Sequence, residues 1–134
     1  MHVVGVCAVL TNSRGDVLLV RTAKVGWELP GGRVEDGEDL LGALERELLE
    51  EAGCVATIER LAGVYAHTRH NLLLMVFRGT SSTAAPGPRP TEAKVLEAAW
   101  FAPADALRSV SHEHENEALA DALSNAPSVF YRAY

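Results

Sequence analysis

The sequence is poor in several features that mark large protein classes. It has two cysteines, Cys7 and Cys54, in 134 residues. That excludes a disulfide-dense secreted scaffold and does not form the paired pattern of a zinc ribbon. Both cysteines read as small buried hydrophobes. No apolar run is long enough to span a bilayer. Residues 1–11 are apolar but too short, and they lack a basic opening, so they read as a buried strand of a soluble, cytoplasmic protein. Basic charge is also scarce. Twelve Lys and Arg against eighteen Asp and Glu leave a formal charge of −6, whereas a nucleic-acid polymer calls for a basic face. An acidic balance does not exclude a nucleotide as substrate, because a metal ion can screen its phosphates locally. No internal repeat is present.

What is there fits one enzyme-sized domain over residues 1–134. Apolar residues make up 48% of the chain, enough to oppose general disorder. Valine-rich residues 2–10 read as a strand, and the turn Asn12-Ser13-Arg14-Gly15-Asp16 leads to a second strand at 17–20. Residues 27–29, 55–66, 72–77 and 95–101 read as further strands, with 67–71 joining two of them. A last helix is expected at 115–123, and the order as a whole is mixed α/β. Residues 80–90 hold three prolines and read as a surface loop, with a lid over a cleft as the functional alternative.

The most informative stretch is residues 31–54, GGRVEDGEDLLGALERELLEEAGC. Gly31-Gly32 follow Trp27-Glu28-Leu29-Pro30 and read as a tight turn, and Asp39 is placed to cap a helix after the turn at Asp36-Gly37. Leu41, Leu44, Leu48 and Ala52 recur at helical spacing, with Leu40 at the edge of the stripe. Gly53 ends the helix, as a residue tolerant of positive φ does. Glu47, Glu50 and Glu51 lie three and four residues apart, so they project from one side. That side is turned roughly a quarter-circle from the apolar stripe at 3.6 residues per turn. Like charges so crowded need a neutralising partner, and oxygen ligands at this density suit a hard divalent cation such as magnesium. Glu38 at the helix start can meet Arg46 a little over two turns later. The planar fork of Arg46 can then position neighbouring carboxylates. A solvated acidic helix face is the bland alternative, but the glycine pair and the Glu38–Arg46 spacing argue against it.

This stretch resembles the Nudix box, written GX5EX7REUXEEXGU with U aliphatic. Gly32 opens it, Glu38 follows after five residues, and Arg46-Glu47-Leu48 follow after seven more. Glu50-Glu51, then Gly53 and Cys54, close it. Cys54 is the one departure, standing where an aliphatic residue is usual. The resemblance extends to Trp27-Glu28-Leu29-Pro30 before the box, and to Trp100-Phe101-Ala102-Pro103 with Asp105-Ala106-Leu107 as a late strand and short helix.

The resemblance implies an α/β/α sandwich with a mixed β-sheet and metal-dependent hydrolysis of a diphosphate bond. The substrate implied is a nucleoside diphosphate linked to another group, such as a nucleoside or deoxynucleoside triphosphate. Nothing in the sequence selects an oxidised nucleotide. The cofactor implied is Mg2+, with Mn2+ as a substitute. Glu47, Glu50 and Glu51 are implied as the metal-and-water site, with the Gly31 carbonyl as another ligand and Glu92 or Glu97 as a carboxylate from outside the box. Glu47 is a candidate to deprotonate water. Arg46 supports the catalytic carboxylates, and Gly32, Glu38 and Gly53 hold the loop and helix in register. Hydrolysis of a nucleotide sugar or dinucleoside polyphosphate is an alternative reading. A non-catalytic nucleotide sensor is another, disfavoured because every glutamate of the box is in place.

Other residues carry weaker signals. His112-Glu113-His114-Glu115 has metal-ligand residue types, but reads as the start of the last helix, where acidic residues suit the dipole. His67 and His70 read as loop residues. Trp27, Tyr65 and Phe77 are core residues by default, with base stacking as their functional alternative. Phe130, Tyr131 and Tyr134 are candidates to cover the sheet or a homodimer interface. The substrate-binding residues are not legible.

Overall fold

The computed structural model describes residues 1–82 and 88–134. In chain order its elements are strands β1 (Val3–Thr11), β2 (Val17–Thr22), β3 (Gly26–Glu28) and β4 (Gly31–Arg33), helix α1 (Leu40–Ala52), and strand β5 (Ala56–His67). A 3₁₀ turn at Thr68–His70 follows, then β6 (Leu72–Ser81), β7 (Val95–Phe101), helices α2 (Pro103–Ser109) and α3 (Glu113–Leu123), and β8 (Phe130–Ala133).

β1 is apolar at almost every position because both of its faces are buried. Val6, Ala8 and Leu10 turn to one side, where Leu18 and Val20 of β2 and Ala43, Leu44, Leu48 and Ala52 of α1 complete a core cluster. Cys7 and Val9 turn to the other, against Val17, Leu19, Ala106 of α2, and Ala118, Leu119 and Ala122 of α3. Helices therefore cover both faces of the sheet, the layered arrangement expected. Each fully buried leucine of these clusters contributes roughly 2 kcal/mol. Cys54 lies in the α1-side cluster, 1% exposed, so a small residue closes the box from within the core.

The sheet runs β3-β2-β1-β6-β5-β8, with β4 also on β1 and β7 also on β2. β1 and β6 are parallel, from Val3 opposite Leu72 to Thr11 opposite Thr80. Neighbours on the other edge of β1 change along its length. β4 pairs with Gly5 to Cys7, while β2 meets it only at Thr11 opposite Val17. The sheet is thus split between β1 and β2, with the start of the box inserted into the split.

Several sequence expectations need correction. Gly31-Gly32, expected as a tight turn, instead begin strand β4, because β1 offers an open edge. Phe130–Ala133 forms β8, parallel to β5. Leu41 is 46% exposed, and Ala43 takes its place in the buried stripe with Leu44, Leu48 and Ala52. β6 continues through Thr80 and Ser81, which shortens the loop expected at 80–90. Residues 83–87 of that loop, and the lid reading that depends on them, lie outside the described residues. No helix among the described residues is long and apolar enough to cross a membrane.

Candidate active site

Helix α1 begins as its sequence dictates. The Asp39 side chain accepts a 2.7 Å hydrogen bond from the Gly42 N–H, and Gly53 closes the helix at φ +61°. Between these caps, Arg46 collects carboxylates. Its Nε and Nη2 donate to the two oxygens of Glu38 at 2.8 and 2.9 Å. Nη1 donates to Glu47 at 2.9 Å and to Glu50 at 3.4 Å, and Nη2 also reaches the Arg33 carbonyl at 3.2 Å. The bidentate pairing, with the Glu35 N–H donating to the same carboxylate, lowers the pKa of Glu38 to about 2. One guanidinium therefore ties the loop before α1 to two glutamates on its exposed side.

The three box glutamates are not equivalent. Glu47 and Glu50 are partly buried, their side chains 13% and 46% exposed. Glu51 is buried, 7% exposed, and its carboxylate accepts a 2.6 Å hydrogen bond from the Gly31 N–H. A single acidic face is thus too simple, because Glu51 sits where the polar side meets the apolar stripe. Both glycines of the box start are required by close approach. A Cβ on Gly31 would overlap the Val6 carbonyl oxygen, and one on Gly32 would overlap the Glu47 carboxylate. The strand can lie this close to β1 at Gly31, and to Glu47 at Gly32, because it carries no side chains there.

A further carboxylate arrives from a distant segment. Oxygens of Glu47, Glu50 and Glu92 all lie within 4.8 Å of one another. Glu97, the other candidate from outside the box, stands on β7 opposite Arg21 and pairs with it at 3.2 Å, half-exposed. The structure brings Glu92 to the box and leaves Glu97 in a cross-strand ion pair.

Comparisons with known proteins agree with this mixed sheet between helices. A family model described as NUDIX domain matches residues 1–122. The chain belongs to the Nudix hydrolase family. This Nudix chain is 32% identical over 127 residues to a MutT-like protein of Streptomyces ambofaciens, covering 94% of the chain and 80% of that protein. It is 32% identical over 100 residues to the human 8-oxo-dGDP phosphatase NUDT18, covering 72% of the chain but 31% of that longer protein. A crystal structure of a Nudix hydrolase from Nitrosomonas europaea superposes with a TM-score of 0.82, covering 99% of the chain and 80% of that protein at 22% identity. That last likeness shows the fold. The family and the mixed α/β architecture read from the box are borne out.

Two acidic residues near the site of this Nudix chain, Glu28 and Glu115, do not read as part of it from the sequence. The Glu115 carboxylate accepts the Leu29 N–H, and Glu28 lies close enough to act on both Glu51 and Glu115. These contacts join segments far apart in sequence, so no local pattern announces them. Burial raises the pKa of Glu51 to about 8, with Glu47, Glu28 and Glu92 adding to the rise and the Gly31 N–H opposing it. Burial likewise raises Glu115 to about 7, and Glu47 and Glu28 by amounts that burial again dominates.

A pH dependence follows for the metal-free protein. A glutamate titrating near 4.5 when unfolded and near 8 when folded holds a proton in the folded state that the unfolded state releases. Its stabilisation is full below pH 4.5 and is lost as pH rises toward 8. Glu38 and Asp121, whose pKa values are lowered, act in the opposite sense only in acid, and His67, its pKa lowered by burial, offsets part of the loss near the lower end of the range. In a chelator, thermal unfolding should therefore show a melting temperature roughly 5 °C or more lower at pH 8 than at pH 5.5. Glu51→Gln should flatten that slope. A metal-free protein equally stable at both pH values would contradict the burial of these groups.

The remaining candidates are accounted for by packing. Tyr65 is 1% exposed and its hydroxyl donates to Asp121 at 2.8 Å, while Phe77 belongs to the α1-side core. Trp27 is partly buried, edge-on to Phe101 with ring centroids 4.7 Å apart. His112 caps α3 through Nδ1, and His114 packs on Tyr134 with centroids 3.7 Å apart. His67 borders both rings, and His70 lies exposed in the 3₁₀ turn. Tyr134 donates to Glu117, and Arg132 pairs with Asp121 at 2.8 Å, which fastens the end of the chain onto α3. Tyr131 of β8 is exposed.

Proposed function

We propose that the chain hydrolyses the diphosphate link of a nucleoside di- or triphosphate with the help of a divalent cation. The gathering of Glu47, Glu50 and Glu92 beside the Arg46 clasp carries this reading. The donor set fits the ion. All donors are hard oxygens, and their spacing within 4.8 Å needs little contraction to reach the ~3–4.2 Å separations around an octahedral Mg2+. The Gly31 carbonyl, on the strand held by Glu51, is a further donor for it. Bound there, the cation neutralises charge on the diphosphate oxygens and acidifies a water.

The chain's own groups supply the rest. Arg46 holds Glu47 through Oε1, leaving Oε2 to take the proton of the attacking water. The water oxygen bonds to phosphorus, the bridging P–O bond breaks, and its electrons leave on the departing phosphate. Glu51 keeps the glycine strand against the helix by holding the Gly31 N–H.

A relative named as an 8-oxo-dGDP phosphatase supports a purine nucleotide as substrate, with oxidised guanine nucleotides tested first. The deciding experiment is a panel of nucleoside triphosphates and diphosphates, with and without 8-oxoguanine, assayed for released phosphate or pyrophosphate with Mg2+ and with chelator. Metal-dependent turnover of one nucleotide class is expected. Turnover confined to nucleotide sugars or dinucleoside polyphosphates would move the substrate assignment. Tight nucleotide binding without turnover would make the chain a sensor.

A further inference from the structure

We propose that Thr91 is a positioning residue, clasping the end of α1 so that Glu92 stays beside Glu47 and Glu50. The inference rests on reading that cluster as a divalent-cation site. The last carbonyls of a helix have no intrahelical partners, and here segment 89–91 supplies them. The Arg89 N–H donates to the Ala52 carbonyl at 2.8 Å, and the Thr91 N–H to the Glu50 carbonyl at 2.9 Å. The Thr91 hydroxyl lies 2.8 Å from the same Glu50 oxygen and 3.2 Å from that of Leu49, its one proton shared between them.

The helix end is shaped for this docking. A Cβ on Gly53 would stand 2.8 Å from the Arg89 carbonyl oxygen. The last glycine of the box therefore does more than permit a positive φ. It clears the surface onto which a distant segment settles, and Glu92 follows three residues after Arg89.

The clasp matters because of charge. Three carboxylates whose oxygens lie within 4.8 Å repel one another until a cation lies between them. Glu47 and Glu50 are fixed by the helix and by Arg46. No hydrogen bond of the Glu92 side chain holds it among the described residues, so its place depends on backbone anchorage. Thr91 is exposed and adds little to the core, yet its hydroxyl anchors the residue immediately before Glu92. Outer-shell groups of this kind typically change metal affinity about 10–100-fold.

The test is Mn2+ binding to the nucleotide-free protein, followed by electron paramagnetic resonance. Thr91→Val keeps the shape and the N–H bond but removes the hydroxyl, and should weaken Mn2+ binding about 10-fold. Thr91→Ser should restore it to within about twofold. In a Glu92→Gln background, which binds weakly already, Thr91→Val should cost nothing more, because its effect passes through Glu92. Wild-type affinity in Thr91→Val, failure of Thr91→Ser to rescue, or an undiminished loss in the Glu92→Gln background would each overturn the positioning role while leaving the metal site standing. Absence of Mn2+ binding by the wild-type protein would overturn both.

Discussion

Glu50→Gln is expected to lower kcat about 10³-fold, the order of a lost metal-ligand charge, while the protein folds normally. The two halves of this expectation have separate physical sources. The Glu50 side chain is 46% exposed, and its contact with Arg46 is long at 3.4 Å, so removing its charge should change stability little. For the cation the exchange is severe. An amide oxygen carries no net charge, and the remaining carboxylates of the cluster cannot move to replace it, since Glu47 is held by Arg46 and Glu92 comes from another segment. Steady-state hydrolysis at saturating Mg2+, alongside a thermal melt, checks both halves. Near-normal kcat in a folded variant would place the cation elsewhere. Glu51→Gln is a poorer test, because Glu51 lies outside the cluster of Glu47, Glu50 and Glu92 and a glutamine oxygen can still accept the Gly31 N–H.

How much of this was legible in the sequence depends on the range of each contact. The helix, its Asp39 cap, its end at Gly53 and the meeting of Glu38 with Arg46 all arise within residues 31–54, where helical spacing dictates geometry. Glu92 and Glu97 are equally acidic and near in sequence, and only their distant partners separate them. Arg21 across the sheet takes Glu97, while the end of α1 takes the segment that carries Glu92. β4 reads as a turn because a three-residue strand has no periodicity of its own, and the edge of β1 is what makes it a strand. The inward turn of Glu51, and its proximity to Glu28, also depend on that strand. Ala43 takes the place of Leu41 in the core, and Glu51 turns inward to accept the Gly31 N–H. Phe130 and Tyr131 read only as candidates to cover the sheet or an interface, because a parallel partner as distant as β5 cannot be read from local pattern.

Arg46→Lys is expected to cut kcat/KM about 100-fold, in line with the cost of misplacing reacting groups by about 1 Å. It should also lower the melting temperature. Charge is conserved in this substitution, so the effect isolates geometry. Arg46 serves four partners at once: both oxygens of Glu38, the Glu47 carboxylate, the more distant Glu50, and the Arg33 carbonyl. A lysine ammonium has three donors on a flexible stem and cannot span the Glu38 carboxylate as a fork while also meeting Glu47. Whichever partner it keeps, another loses its hold. If it keeps Glu38, the loop before α1 stays in place and Glu47 is free to rotate away from the attacking water. If it keeps Glu47, the loop loosens and β4 loses its support beside the helix. Glu38→Gln separates these routes, since it weakens the fork but leaves Nη1 on Glu47. Its activity loss should be smaller than that of Arg46→Lys, and the double variant should lose less than the two single losses combined. A Glu38→Gln variant as inactive as Arg46→Lys would mean that Arg46 acts through the loop alone. Full activity in Arg46→Lys would mean that Glu47 keeps its place without the guanidinium.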